Sequence, residues 1–192
     1  RPFITVRSEV GPQAMADFRA QLAVSERPLM IVGGAGWSEK ACADIQAFAE
    51  ANAVPVAASF RCQDTFDNMH ANYAGELGTS ASPKLTARLK GSDLLIVVGS
   101  RLGEMTTGGY SLVSLPVPQQ KLVHVYMDAA ELGRVYEPDV AIVASMESFA
   151  GAAKDIEATS PDSRTEWVRE ANQDYIDNLQ PTLEMNGVDM HA

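Results

Sequence analysis

Residues 31–38 read IVGGAGWS, an apolar run that opens into Gly33, Gly34 and Gly36 just ahead of a segment with helical periodicity. Glycines in that position let backbone amides approach an anion closely, and the helix start that follows adds partial positive charge, so the chemistry on offer is phosphate binding. A tight strand-to-helix turn is the competing reading. The loop alone does not decide between them: Glu39 stands where the third glycine of G-x-G-x-x-G would fall counted from Gly34, and no GK[ST] follows. A second stretch, GSRLGEMTTGGY at 99–110, offers Arg101 as a donor fork for phosphate, with Gly103, Gly108 and Gly109 keeping the chain close to a ligand. A surface arginine on a flexible loop is the alternative there. Asp128 ends a third apolar run, where a carboxylate would meet a ribose diol or, equally, cap a short AAELGR helix. Glycine amides, an arginine and an acid from three strand ends together describe a crevice of dinucleotide size.

Catalytic side chains are sparse by comparison. His124 sits mid-strand on the same side as Leu122 and Tyr126, the pattern of a core histidine, and His191 lies in a polar tail. His70 follows Asp67 by three residues, half of a metal site at most, with no third ligand at helical spacing. Cys42 and Cys62 are twenty positions apart without CxxC or Cys/His spacing, which reads as two reduced thiols. A site built from these residues holds a ligand rather than transforming it.

The elements that would position such a site follow from the apolar pattern. LMIVGG at 29–34, VPVAAS at 54–59, DLLIVVGS at 93–100 and KLVHVYMD at 121–128, with a weaker VAIVAS at 140–145, are continuous rather than alternating runs, as strands covered on both faces require. Between them the spacing predicts helices: 38–52, with Ser38 as N-cap and Glu39 in the first turn; 83–90, started by Ser82 and Pro83 and stopped by Gly91; and 145–158. Parallel strands joined by helices give an α/β, Rossmann-like, three-layer doubly wound sheet of five to six parallel strands. Residues 12–25 carry Met15, Phe18 and Leu22 at helical spacing and predict a docking helix; 159–192 reads as one amphipathic helix around 166–179 and a Pro/Asn/Gly tail.

Composition removes several function classes. With a net charge of -10 and a pI near 4.7, the chain has no basic surface for nucleic acid or an anionic membrane. It contains no apolar stretch of about 20 residues and no signal-like start, so the expected location is the cytoplasm.

The ordered series RPLMIVGGAGW, VPVAASF, NYAGELG, SDLLIVVGSRLGEMTT and VYMDAAELGRVYEPDVAIVA resembles the central domain of thiamine diphosphate-dependent enzymes, the group of acetolactate synthases and 2-keto acid decarboxylases and carboligases. The resemblance covers roughly residues 10–160. It implies a division into an N-terminal linker and docking helix at 1–26, the central domain at 27–158, and a helix and linker at 159–192. It further implies partner domains on either side that bind thiamine diphosphate and Mg2+, a homodimeric or homotetrameric parent, and no activity in the chain alone. In such domains FAD or ADP lies over the strand ends. By motif match the residues facing it here would be Gly34, Ala35, Gly36, Ser59, Phe60, Leu77, Gly78, Ser100, Arg101 and Asp128. Two positions depart from the acetolactate synthase pattern: Met105 stands in place of a second arginine, and Ser145 in place of a late aspartate. The other expectation is a self-standing nucleotide-binding module without enzymatic activity.

Overall fold

Each of the five apolar runs forms a strand, and a sixth appears between them. The structure, a computed structural model, describes residues 7–157 and 162–180. The strands are β1 (Pro28–Val32), β2 (Val56–Ser59), β3 (Tyr73–Leu77), β4 (Leu94–Val98), β5 (Lys121–Tyr126) and β6 (Val140–Val143). All pair in parallel, in the order β3-β2-β1-β4-β5-β6. The order reverses between β1 and β4, and at that reversal the connections leave to opposite faces and open a crevice beyond the carboxyl ends.

Alternate residues of β1 and β4 supply the two cores. Met30, Val32, Ile96 and Val98 face α1 (Pro12–Val24), α2 (Glu39–Ala51) and α4 (Met146–Ala153), whereas Leu29, Ile31, Leu95 and Val97 face α3 (Pro83–Gly91) and α5 (Asp162–Asn178). On the first face Phe18 of α1 wedges between Phe48 and Phe149, with ring centroids 5.6 and 5.5 Å away, which docks α1 on two helices at once.

The helix starts obey the local rules that predict them. The hydroxyls of Ser38, Ser82 and Ser145 accept from the backbone N–H of Ala41, Lys84 and Ser148, each at 3.2 Å, satisfying amides that have no partner inside the helix. The third helix ends at Ala153, short of the expected 158, and the segment AAELGR forms turns around Gly133 (φ +79°) instead of a helix.

The polar C-terminal helix is packed more closely than its composition suggests. α5 lies along edge strand β3, with Ala171 in the second core and Tyr175 edge-on to Tyr73 at 4.9 Å, and so covers an edge that would otherwise offer unpaired backbone groups. At its start Arg164 is fully buried. Its guanidinium donates to the carbonyls of Leu22, of Ser25 at 2.7 Å and of Asn52 at 3.5 Å, the C-terminal ends of α1 and α2. Those negative helix ends are the counter-charge for a buried cation. One turn on, Trp167 donates through Nε1 to the Pro28 carbonyl at 2.8 Å. The tail at 181–192 lies outside the described residues.

Candidate functional site

The loops after β1 and β4 touch at the sheet reversal, and glycine is what lets them. Gly34 has φ +75°, and a Cβ there would lie 1.9 Å from the Gly99 carbonyl oxygen; at Gly33 it would lie 1.8 Å from Ser59 Oγ. Close contact between strand ends therefore accounts for both glycines before any ligand is considered. The resulting opening holds about 530 Å³, within the range of small-molecule sites. Gly34, Ala35, Ser59, Phe60, Ser100 and Arg101 all line it. A second cavity of about 570 Å³ meets it at Gly34 and takes in Gly36, the start of α2 and Asp64 to Asp67.

The remaining three predicted residues sit elsewhere. Leu77 is fully buried in the second core, and Gly78 packs under the Phe60 ring, where a Cβ would lie 2.8 Å from Cδ2. Asp128 lies outside the lining and accepts from the Ala130 N–H at 2.9 Å, the capping bond that was the alternative to a ribose contact. Lining residues to which the sequence reading gave no site role include Arg61, Cys62, Gly99, Glu104, Thr106 and Tyr126. Cys62 Sγ accepts from the Gly34 N–H at 3.3 Å, so the second strand's loop fixes the first. Residue 126 was visible as the neighbour of His124 at period two, a spacing that core and site share.

Two β5 side chains organise the arginine loop. Nε2 of buried His124 donates to the Ser100 carbonyl at 2.8 Å; a carbonyl only accepts, so Nε2 carries the proton. Burial pushes the imidazole below its ordinary pKa, despite the opposing pull of Ser100 and Glu131, so the ring is neutral at pH 7. Arg101 donates through Nε to the Tyr126 hydroxyl at 2.9 Å, with Glu131 Oε2 at 3.9 Å. The Tyr126 hydroxyl first, and then the charge of Glu131, hold the guanidinium more firmly protonated than usual. The N–H groups of Ala35, Gly36, Ser100 and Arg101 make no hydrogen bond among the described residues, leaving backbone donors on both sides of the opening. Amides in this arrangement fit an anion.

His70 is engaged in structure: its Nε2 lies 2.7 Å from Glu50 Oε1 and its Nδ1 accepts from the Asn72 N–H. Among the described residues no group of three His, Cys, Asp or Glu is placed to hold a metal ion, and no helix is long and apolar enough to cross a membrane. The chain matches the family described as thiamine pyrophosphate enzyme, central domain, over residues 15–152. It belongs to that family.

This central domain is 30% identical to the acetolactate synthase large subunit of Corynebacterium glutamicum over 159 residues, covering 81% of this chain and 24% of that protein. It is 29% identical to the glyoxylate carboligase of Escherichia coli O157:H7 over 155 residues, covering 78% of this chain and 26% of the relative. The chain thus spans about a quarter of the length of these curated relatives. A solved structure described provisionally as a thiamin diphosphate-dependent enzyme from Mycobacterium smegmatis superposes with a TM-score of 0.64 at 18% identity, over 84% of this chain and 31% of that one. That likeness shows the six-stranded α/β fold.

Proposed function

We propose that this central domain serves a thiamine diphosphate-dependent carboligase or decarboxylase acting on 2-keto acids, and that its crevice carries the adenosine diphosphate part of a nucleotide. The observation that carries the nucleotide half is the juxtaposition of Gly34 and Ala35 with Ser100 and Arg101 around one opening at the sheet reversal, with Gly36 in the cavity that adjoins it. The family and its relatives support the first half. When bound in flanking domains, thiamine diphosphate with Mg2+ would supply the carbon chemistry. The residues of this chain would bind and orient: backbone N–H groups and the Arg101 fork on the phosphates, and Phe60 as an apolar wall.

ADP fits this lining better than FAD. Met105, partly exposed on the crevice wall, offers no charge, and Ser145 is used as the N-cap of α4. Glu104 is the acid that lines the opening; beside it, outside the lining, Asp128 accepts from the Ala130 N–H and Glu131 pairs with arginines, and none of the three stands against a nucleophile. The chain by itself is accordingly inactive in this reading.

Thermal melting with ADP, FAD, coenzyme A and NAD tests it. A nucleotide at 100 times its Kd should add about 2.7 kcal/mol of stability. ADP should give the largest upward shift in Tm, and Arg101→Ala should remove most of it; the absence of a shift with all four overturns the nucleotide reading and leaves a scaffold.

A further inference from the structure

We propose that Tyr126 is a positioning residue: it holds Arg101 with its terminal nitrogens free for the phosphates of an adenine nucleotide. The proposal rests on the nucleotide reading above. An exposed arginine on a glycine-rich loop normally samples many rotamers, and a ligand must order it on binding. Here the side chain is 67% exposed yet held at three points. Its Nε donates to the Tyr126 hydroxyl at 2.9 Å, its guanidinium carbon lies 5.9 Å from the Tyr126 ring centroid, and Glu131 Oε2 stands 3.9 Å from Nε. Neither terminal nitrogen makes a hydrogen bond among the described residues. Those two N–H groups form the fork that takes a phosphate through paired bonds, whereas Nε is the nitrogen the pairing can do without.

The backbone is held to match. His124, two residues before Tyr126 on the same strand, donates to the Ser100 carbonyl, and Leu102 turns the chain at φ +51° directly after the arginine. β5 thus fixes both the peptide that carries Arg101 and the side chain itself. Glu131 does not cancel the fork's charge alone, since it also pairs with Arg134 at 3.4 Å.

Tyr126→Phe keeps the ring and removes the hydroxyl. Titration calorimetry on the 192-residue chain, with ADP and with adenosine as probes, reads the consequence. The wild type should bind ADP more tightly than adenosine, and Tyr126→Phe should weaken ADP about tenfold while leaving adenosine affinity and Tm unchanged. Equal ADP affinity in variant and wild type overturns the role of Tyr126 alone, as does an equal loss for ADP and adenosine. A wild type that binds neither probe overturns the nucleotide reading and this proposal with it.

Discussion

The two ends of one sheet treat backbone polarity in opposite ways. At the amino ends, side chains saturate it. Asp93, ahead of β4, accepts from the Ser25 hydroxyl at 2.5 Å and from the N–H groups of Glu26 and Arg27; Arg164 and Trp167 take the carbonyls leading into β1; Asn72 and Asn172 bridge those around β2 and β3. Asp139 does the same for β5, accepting from the Leu122 N–H while paired with Lys121. At the carboxyl ends the N–H groups of four residues around the crevice are left open. Buried polar groups are normally paired, as the amino ends show; of the four open residues only Ser100 is buried, so the carboxyl ends keep backbone donors accessible even though His124 and Trp37 take carbonyls there.

The contrast can be broken by mutation at either end. The largest loss should come from Arg164→Met, which strands the buried Ser25 and Asn52 carbonyls and leaves that of Leu22 only the Ser25 N–H: about 3 kcal/mol, or some 6–12 °C in Tm by differential scanning calorimetry, with any ADP affinity of the folded protein unchanged. A Tm within 2–3 °C of wild type, roughly 1 kcal/mol, would show that the amino edge is not the stabilising one. Next, Gly34→Ala forces a side chain at φ +75° against the Gly99 carbonyl; it should cost about 2 kcal/mol by urea titration and abolish any ADP-dependent shift. A tolerated alanine would mean that the strand ends can separate.

The smallest effect is a pH slope. Burial holds His124 neutral, with a folded pKa below its unfolded value near 6.5. The unfolded chain therefore takes up the proton first as pH falls. The contribution of His124 to stability is complete above about pH 6.5 and is lost on acidification. Melting curves from pH 7.5 to 5.5 should fall less steeply in His124→Gln than in the wild type, whereas parallel curves would place the charge elsewhere.

Much of the fold was legible because its signals are local. Helix starts at Ser38 and Ser82 and five continuous apolar runs needed only their neighbours in sequence. β3 escaped as a strand because YAGEL carries Gly75 at φ +113° and Glu76 beside it, and its pairing with β2 shifts register between Val56 and Ala57. α5 was legible as an amphipathic helix around 166–179, but not its docking: its buried stripe begins earlier, with Arg164, and only the ends of α1 and α2 make that arginine a core residue. The crevice was legible at its glycines and at Arg101. Tyr126 and Cys62 were not, since each acts on a loop from another strand. Conversely, Leu77 and Asp128 follow strands as site residues do, yet one is packed and the other caps a turn.

The clasp at Arg164 also sets where this unit can be cut. The family pattern stops at residue 152, twelve positions before the arginine that fills the space beneath Leu22, Ser25 and Asn52. A chimera joined at that border would import a sheet with an open edge at β3 and a polar hollow under its first two helices. An exchange that kept these contacts would carry α5 along with the shared pattern.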